Sequence, residues 1–309
     1  MKAEMFVLNY NGKELLSECL PSVLAAAKQA ACPVTVIDNN SHDGSVEFLK
    51  VRFPRTRVRP SLENRVLCAF NEAVAESAAD IVLLLNNDLK AEKHFVRPLL
   101  DVFAAHADAF LAAPKAYTFD KRRYEGSLSK MDFHAGVVKV ESRFPGYEAK
   151  VDTAGRTMQA GFGAYRRDVF LELGGFDDLY LPGTLEDTDL CFRAWKAGYA
   201  CYYVPSSRVY HKGQATFRKS FSRSRILAIN QRNLYLFIWK NISDAGLLFR
   251  HVVWLLPRPI FFLFKGRVEF LWGLLAAFGR LPQALARRFS PTGRRARSDR
   301  EIFAISAGI

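Results

Sequence analysis

Short apolar runs alternate with longer amphipathic segments through the first part of the chain. The short runs are rich in aliphatic and β-branched residues and predict strands: MFVLNY, PVTVID, TRVRPS, DIVLLL and AFLAAPKA. Between them lie segments whose apolar spacing predicts helices: ELLSECLPSVLAAAKQA, SVEFLKVRF, VLCAFNEAVAES and HFVRPLLDVFAAHA. Strands that alternate with helices predict an α/β domain, in which a mostly parallel sheet is flanked by helices on both faces.

The pattern is less regular between residues 117 and 160, where glycines separate short segments such as GVVKVESRF. We expect strands and loops laid over the edge of the sheet there. Helical spacing returns in RRDVFLELGGFDDLY, which ends at Gly174 and Gly175, and in TLEDTDLCFRAWKAGY, which carries carboxylates in its first turn. CYYVP then predicts a further strand.

Three of the predicted strands end in clusters of amides and carboxylates. These clusters are NYNG at 9–12, DNNSHDGS at 38–45 and NND at 86–88. In open parallel sheets, ligands bind in the crevice beyond the carboxyl ends of the strands. The three clusters therefore predict one polar crevice at that edge of the sheet.

The charge of the chain is concentrated near its end. Residues 1–217 hold 27 Lys and Arg against 27 Asp and Glu, whereas residues 218–309 hold 17 against 4. This asymmetry predicts a neutral domain over 1–217 and a basic, aromatic-rich region over 218–309. Five cysteines without metal-site or disulfide-framework spacing predict buried thiols in a reducing compartment. No leader precedes the first strand, so we expect the domain to be cytoplasmic.

A set of motifs in a fixed order carries a resemblance to a known family: NYNG, VIDNNSHDGS, LLLNND, RRDVFLELGGFDDLY, EDTDLCFR and VYHKG. Together they resemble inverting glycosyltransferases of family 2, most closely the rhamnosyltransferase-like branch, over roughly Met5 to Gln214. Singly, NND is ordinarily a turn, EDTD ordinarily complements a helix dipole, and His211 would be a surface or core histidine. The order of the set favours the functional interpretation.

The resemblance implies a GT-A fold that binds a nucleoside diphosphate sugar. It also implies a set of site residues. Asp38 would accept a hydrogen bond from a uracil or thymine base. The other implied donor-binding residues are Asn9, Asn39, Asn64, Asn71 and Asn87. Asp88 would hold the metal, His211 would contact the metal or the diphosphate, and Asp187, next to Glu186, would be the catalytic base.

The chemistry of sugar transfer is consistent with these residue types. A departing nucleoside diphosphate builds negative charge, which Mg²⁺ or Mn²⁺ can neutralise with one or two protein carboxylates, phosphates and water as ligands. The acceptor hydroxyl needs a base within hydrogen-bond reach. Glu186 and Asp187 would point about 100° apart on a helix, so we expect one of them, Asp187, to face the sugar. Asp189 and Arg193, spaced i and i+4, predict a structural ion pair.

One segment departs from the family pattern. Relatives carry a glycine-rich run where this chain has NRVLCAFNEA, and Val66, Phe70 and Ala73 occupy glycine positions. Because glycine permits close backbone approach, these substitutions predict a reshaped donor pocket. They also leave open a non-catalytic membrane adaptor that keeps the fold.

Beyond residue 218, apolar clusters such as PIFFLF and FLWGLLAAFG are interrupted by arginine and lysine, and no stretch reaches about 18 uncharged apolar residues. This pattern predicts helices that lie on an anionic membrane surface. The alternative is that they pack on the catalytic domain or on a second subunit. The density of Leu, Phe and Trp argues against nucleic acid as a partner. We expect the stretch RRFSPTGRRARSDR to be flexible.

The resemblance, together with the basic and apolar region after residue 218, implies an inverting, metal-dependent enzyme on the inner face of the cell membrane. It would transfer rhamnose from dTDP-rhamnose to a glycan or a polyprenyl-linked acceptor in the synthesis of a cell-surface polysaccharide. A UDP-hexose donor is the alternative.

Overall fold

The computed structural model describes residues 1–213, 221–289 and 295–309. The predicted domain boundary at residue 217 lies outside these residues. So do Gln214, the last residue of the resemblance, and residues 290–294 of the predicted flexible stretch.

The strands come mainly from the first two thirds of the chain. They are β1 (Ala3–Asn9), β2 (Val34–Asp38), β3 (Arg57–Pro60), β4 (Ile81–Asn86), β5 (Leu89–Ala91), β6 (Ala109–Thr118), β7 (Tyr124–Gly126), β8 (Lys130–His134), β9 (Val137–Glu141), β10 (Gly155–Arg156), β11 (Gly163–Arg166) and β12 (Ala200–His211).

The helices continue to the end of the chain. They are α1 (Lys13–Gln29), α2 (Ser45–Arg52), α3 (Ala69–Glu76), α4 (Val96–Ala105), α5 (Arg167–Glu172), α6 (Glu186–Ala197), α7 (Arg223–Asn241), α8 (Ala245–Trp254), α9 (Pro257–Phe264), α10 (Glu269–Phe278), α11 (Leu281–Phe289) and α12 (Asp299–Gly308).

The main sheet has the strand order β10-β12-β6-β11-β4-β1-β2-β3, with β5 on β12 and β7 on β6. The predicted α/β architecture is confirmed. The sheet is parallel from β3 to β4, but β11 runs antiparallel to both of its neighbours, β4 and β6. Strands β6 and β12 then run in the same direction as β1, because two reversals restore it. The carboxyl ends of β1, β2, β4 and β12 therefore meet at one edge of the sheet.

Helices cover both faces of this sheet, as the sequence predicts. Met5 and Val7 of β1 pack in one hydrophobic cluster with α1 and α4, whereas Phe6 and Leu8 pack in the other with α3 and α6. The period-two alternation of strand side chains produces this division. The region between 117 and 160 forms short strands: β7 and β10 pair at the sheet, and β8 pairs with β9 as a separate hairpin. All five cysteines are buried free thiols.

Two parts of the C-terminal region behave differently. Buried residues of α7, α10, α11 and α12 belong to the same hydrophobic cluster as the sheet, so these helices pack on the α/β domain. In contrast, large apolar side chains of α8 and α9 are exposed. In the described part of the chain, one segment, Ala245–Phe264, is long and apolar enough to cross a membrane, with a mean hydropathy of 1.5. This segment meets the length and hydropathy criteria although it contains Arg250 and Arg258.

Candidate active site

The side chains at the ends of β1, β2 and β4 form one buried hydrogen-bonded cluster. Asn9 and Asp38 are paired residues of adjacent parallel strands, and the Asn9 amide donates to Asp38 Oδ1 over 3.0 Å. Asn87 Nδ2 donates to Asn9 Oδ1 over 2.7 Å. Asp38 Oδ2 accepts from the Ser41 backbone N–H over 3.0 Å. The cluster at this edge of the sheet thus contains a carboxylate that Asn9 and the Ser41 backbone hold directly and that Asn87 supports through Asn9.

Gly12, at the start of α1, permits this arrangement. A Cβ atom on Gly12 would lie 2.0 Å from Asn87 Nδ2 and 2.7 Å from Asn9 Oδ1. Atoms cannot approach so closely, so any larger residue would displace the two amides. A larger residue at this position is therefore compatible with the turn only if the hydrogen-bonded amides of Asn9 and Asn87 move.

Asn39 extends the cluster towards the segment that departs from the family pattern. Its Nδ2 donates to Asn64 Oδ1 over 2.8 Å, and its Oδ1 accepts from the Arg65 backbone N–H over 3.1 Å. Val66 has a φ of 49°, a left-handed conformation that a β-branched residue rarely adopts. The backbone therefore keeps a conformation that favours glycine, although valine occupies it.

The other residues of that segment face away from the crevice. Phe70 is buried in the hydrophobic core, with its ring centroid 6.2 Å from that of Phe176. Ala73 is also buried there. Asn71 donates to the backbone carbonyl of Phe176 over 2.8 Å and accepts from its N–H over 2.9 Å. Asn71 therefore supports the turn after α5, and its contacts are separate from those of the Asn9 cluster.

Asp88 and His211 meet because β5, which follows Asp88, pairs with the end of β12. Asp88 Oδ1 lies 3.3 Å from His211 Nε2, and Glu125 Oε1 lies 3.1 Å from His211 Nδ1. Burial alone would lower the pKa of His211, but the interactions with Asp88 and Glu125 outweigh it and raise the pKa to about 9. A carboxylate on one ring nitrogen is the usual way in which proteins orient a metal-binding histidine.

The pair offers two side chains of the types that bind divalent ions. Apart from its 3.3 Å contact with His211 Nε2, Asp88 Oδ1 is buried without a hydrogen bond of good geometry from the described residues. No group of three or more His, Cys, Asp and Glu that could enclose an ion occurs in residues 1–213, 221–289 and 295–309. Mg²⁺ and its analogues usually take only one or two protein ligands at such sites, since phosphates and water supply the rest. A carboxylate and an imidazole are therefore a sufficient protein contribution, provided that the ion displaces the proton that the raised pKa of His211 keeps on Nε2.

Glu186 and Asp187 lie in the first turn of α6 and differ in environment. Glu186 is 2% exposed, and burial raises its pKa to about 8, which leaves this carboxyl neutral at pH 7. Asp187 is half-buried. Burial also raises the pKa of Asp187, and the hydrogen bond from the Thr188 N–H opposes this effect. The more accessible of the two carboxyls is therefore Asp187.

Gly161 and Phe162 connect Asp187 with His211. A Cβ atom on Gly161 would lie 3.1 Å from Asp187 Oδ2. The ring centroids of Phe162 and His211 are 5.4 Å apart. The Asp88–His211 pair and the Asp187 carboxylate are therefore separated by two consecutive residues of the loop before β11.

Helix α7 holds the loop that leads into α6. Thr184 and Leu185 have φ values of 73° and 69°, which are strained for residues with side chains. Asn233 Nδ2 donates to the carbonyls of Gly183 and Thr184 over 2.7 and 2.9 Å. The C-terminal region thus takes part in positioning the Glu186–Asp187 turn.

The predicted Asp189–Arg193 ion pair is confirmed, at 2.7 Å. Asp189 is fully buried and also accepts from Lys240 and Asn241 of α7 over 2.8 and 2.7 Å. Burial alone would raise the pKa of Asp189, but Arg193 and Lys240 outweigh it and hold the pKa well below its ordinary value. Asp189 is therefore an ionised link between α6 and α7.

Comparison with known proteins identifies the family. The model of Glycosyl transferase family 2 matches residues 5–174, more than half of the chain. The chain belongs to glycosyl transferase family 2. The model of Glycosyl transferase family group 2 matches residues 155–286, so the match to related transferases extends through α10.

Relatives of this glycosyltransferase agree with that assignment. The N-acetylglucosaminyl-diphospho-decaprenol L-rhamnosyltransferase of Mycobacterium tuberculosis is 27% identical over 240 residues, 70% of this chain and 77% of the relative. The crystal structure of GalNAc-T7 with UDP, GalNAc and Mn²⁺ matches with a TM-score of 0.65 at 15% identity, over 94% of this chain and 58% of that one. S. aureus TarS 1–349 matches with a TM-score of 0.56 at 16% identity, over 92% and 81%. The predicted GT-A fold is confirmed.

Four residues of the site were not predicted as functional from the sequence: Gly12, Ser41, Glu125 and Gly161. Gly12 and Ser41 lie within polar clusters that the sequence already marks, and a search for close backbone approach could have found Gly12. Glu125 and Gly161 lie in the irregular middle region, where no spacing links them to His211 or Asp187.

Proposed function

We propose that this glycosyltransferase is a metal-dependent inverting enzyme that transfers rhamnose from dTDP-rhamnose to a lipid-linked glycan acceptor. The observation that supports this most strongly is the continuity of the site. The Asn9–Asp38–Asn87 cluster adjoins Asp88, Asp88 meets His211, and Phe162 and Gly161 lead from His211 to Asp187.

The strand-end cluster suits a pyrimidine nucleoside. Asp38 already accepts two hydrogen bonds from protein groups, but a carboxylate has about four acceptor sites. It can therefore also accept from the ring N–H of thymine or uracil. Asn39 and Asn64 lie at the edge of the same cluster, and the Phe70 ring packs in the core and not against the cluster.

Asp88 and His211 would hold the divalent ion, with Glu125 orienting the histidine. Bound there, the ion would neutralise the charge that develops on the departing diphosphate. The protein itself contributes a fixed carboxylate and a fixed imidazole where the start of β5 pairs with the end of β12. This fixed placement avoids a costly rearrangement during the reaction.

Asp187 would remove the proton from the acceptor hydroxyl. A general base works best when its pKa is close to the working pH, and burial raises the pKa of Asp187 in that direction. Glu186 would remain protonated at neutral pH and would support the turn. Because the Glu186 carboxyl is neutral, it does not repel the negative charge of the Asp187 carboxylate.

The donor and the acceptor are proposed from the relatives. The mycobacterial relative is named as a rhamnosyltransferase that acts on N-acetylglucosaminyl-diphospho-decaprenol. GalNAc-T7 and TarS structures were solved with UDP or UDP-GlcNAc, so a UDP-hexose is the second candidate donor. A lipid-linked acceptor is consistent with the exposed apolar side chains of α8 and α9, which would place the enzyme on the inner face of the membrane.

Transfer to a synthetic N-acetylglucosaminyl-diphospho-prenol tests this proposal, with mass spectrometry to detect the product and NMR to determine its anomeric configuration. We expect a product with dTDP-rhamnose and Mn²⁺, none with the Asp187→Asn variant, and a product of opposite anomeric configuration to the donor. A product formed with UDP-GlcNAc and not with dTDP-rhamnose would identify UDP-GlcNAc as the donor. Transfer by Asp187→Asn within a few-fold of the wild-type rate would exclude Asp187 as the base.

A further inference from the structure

The segment that precedes α6 follows an unusual backbone path. We call residues 179–185 the α6 loop, because it ends where α6 begins. Its last three residues, Gly183, Thr184 and Leu185, have φ values of 144°, 73° and 69°. Two of these residues carry side chains, and such values persist there only where surrounding contacts maintain them. The direction in which α6 starts, and with it the position of Asp187, therefore depends on the contacts that hold this loop.

Asn233 of α7 holds the end of the α6 loop. Its side chain is fully buried, and Nδ2 donates to the carbonyls of Tyr180, Gly183 and Thr184 over 2.9, 2.7 and 2.9 Å. Its Oδ1 accepts from Arg232 Nε over 2.9 Å. The amide fits in one direction only, since the reverse would set its oxygen against three carbonyls. One side chain thus satisfies the backbone where it turns into α6.

Two arginines hold the start of the α6 loop. Arg232 Nη2 donates to the carbonyls of Tyr180 and Leu181 over 3.1 and 2.7 Å. Arg280, in the turn between α10 and α11, donates through Nη1 to the carbonyls of Leu179 and Leu181 over 2.8 and 3.0 Å. Hydrogen bonds from charged donors are stronger than those from neutral ones. The loop is therefore fixed from two separate parts of the C-terminal region.

The three donors, Arg232, Asn233 and Arg280, are carried by helices in close contact, and we call them the loop clasp. Helix α10 packs on α7 at Gly273, where a Cβ atom would lie 2.5 Å from Gln231 Cβ and 3.0 Å from the Arg232 backbone nitrogen. Such close packing leaves the two helices little room to shift against each other. The loop clasp therefore holds the α6 loop as one unit.

The proposed chemistry needs an accurately placed base. A displacement of about 1 Å in a reacting group can cost on the order of 10²-fold in rate. Asp187 lies two residues beyond Leu185, the last residue that precedes α6. We propose that the loop clasp places Asp187 for proton removal, so that Arg232, Asn233 and Arg280 are positioning residues of the transfer reaction. This inference rests on the proposed function.

Matched arginine variants test the inference, because Arg280 has a counterpart whose contacts lie outside the α6 loop. Arg288 of α11 also donates through Nη1 to two carbonyls, those of Trp239 and Ile242 at the end of α7, over 3.0 and 2.6 Å. Both arginines are half-buried. Arg280→Met and Arg288→Met therefore each remove two hydrogen bonds of the same kind, but only the first releases the loop. Asn233→Ala and Arg280→Lys complete the set.

Steady-state transfer to the synthetic N-acetylglucosaminyl-diphospho-prenol would be measured with Mn²⁺ and whichever of dTDP-rhamnose and UDP-GlcNAc the wild type uses. We expect Arg280→Met and Asn233→Ala to lower kcat at least tenfold, while KM for donor and acceptor stays within twofold of wild type. Arg280→Lys should have a kcat at least threefold above that of Arg280→Met, because an ammonium group can donate to the same carbonyls. Arg288→Met should keep kcat within twofold of wild type, even with an equal loss of melting temperature.

The outcomes separate this inference from the proposed function. A kcat within twofold of wild type in the folded clasp variants would overturn the inference alone. An equal loss of kcat in Arg288→Met and Arg280→Met at equal melting temperatures would overturn it as well, because the clasp would then act only through stability. An unchanged kcat with at least a fivefold higher acceptor KM would assign the clasp to acceptor binding instead.

Failure of the wild type with both donors would overturn the proposed function and the inference together. If Asn233→Ala does not fold, the comparison of Arg280→Met, Arg280→Lys and Arg288→Met decides alone.

Discussion

At the scale of single residues, the site depends on close contacts that leave no room for larger side chains. The amides of Asn9 and Asn87 meet beside Gly12, and the first of them also holds Asp38. Each polar group in this cluster therefore fixes its neighbour. A substitution at one of these positions should therefore displace the others and weaken donor binding.

The Gly12→Ala variant tests this dependence. Its Cβ would force Asn87 away from Asn9 and break the hydrogen bond between them. We expect nucleoside diphosphate binding to weaken about fivefold to tenfold, in line with the roughly 1 kcal/mol of a typical hydrogen bond. Calorimetric titration measures it. Gly155→Ala is the control, because open space surrounds Gly155; equal binding by both variants would show that the cluster is not coupled to the donor.

The pH dependence of the rate distinguishes the two candidate bases. A base must be deprotonated, so activity falls as the pH drops below its pKa. The pKa of Glu186 is about 8, and burial also raises the pKa of Asp187. If Asp187 is the base, the acid limb of kcat/KM at saturating Mn²⁺ reports the pKa of Asp187 and not that of Glu186. It should persist in Glu186→Gln.

A limb near pH 8 that disappears in Glu186→Gln would contradict this assignment and identify Glu186 as the base. Thermal unfolding offers an independent check on Glu186. Its raised pKa stabilises the fold below pH 4.5, and this contribution is lost as the pH rises through about 8. The melting temperature of Glu186→Gln should therefore fall less over that range than that of the wild type.

At the scale of elements, α6 and α7 are joined by a buried ionic network at Asp189. The sequence spacing predicts the contact with Arg193, since residues four apart face each other on a helix. It gives no sign of Lys240, which is 51 residues away and reaches Asp189 only through the packing of α7. The same limit applies to Glu125, which no motif connects with His211.

The Lys240→Met variant should lower stability because it leaves Asp189 with one fewer compensating charge. Removing one partner of a buried ion pair typically costs about 3 to 5 kcal/mol in the free energy of unfolding. Urea unfolding at pH 7 measures the loss. The control is Arg97→Ala, which breaks an exposed i, i+4 pair with Asp101 and should cost less than about 1 kcal/mol. Equal effects of the two variants would mean that Asp189 does not link the helices.

The strand order shows what periodicity can and cannot predict. The alternation of strands and helices up to β6 correctly predicts the parallel part of the sheet and its polar edge. It ends in the irregular middle region, and β11 then enters between β4 and β6 from the opposite direction. Parallel pairing needs a long crossover, and the chain before β11 supplies short strands and loops instead of a helix.

At the scale of the whole molecule, the C-terminal region has one face towards the catalytic domain and another towards solvent. Phe249, Phe264 and Trp272 are 70%, 88% and 64% exposed. Arg250, Arg258, Lys265 and Arg267 lie among these apolar side chains in sequence. Aromatic and cationic side chains together favour binding to the surface of an anionic bilayer. A membrane-bound orientation would bring the site to a lipid-linked acceptor.

Flotation with phosphatidylglycerol vesicles tests this attachment. We expect the wild type to float with anionic vesicles, less with neutral ones, and the Phe249→Ser, Phe264→Ser, Trp272→Ser triple variant to stay mostly unbound. The control is Val51→Ser with Leu62→Ser, which removes two exposed apolar side chains from the catalytic domain. An unbound wild type would exclude the membrane surface. If the wild type is a dimer in size-exclusion chromatography and the triple variant is a monomer, the exposed apolar face binds a second copy of the chain.

The most direct test of the central claim is calorimetric titration with dTDP, UDP and GDP, each with and without Mn²⁺. The account predicts that a pyrimidine diphosphate binds with the metal and much more weakly without it. It also predicts that Asp88→Ala binds the diphosphate equally weakly with and without Mn²⁺, while its melting temperature stays that of the wild type. Binding of GDP as tight as that of the pyrimidine diphosphates, or no binding with Mn²⁺ present, would contradict the assignment of the strand-end cluster as the donor site.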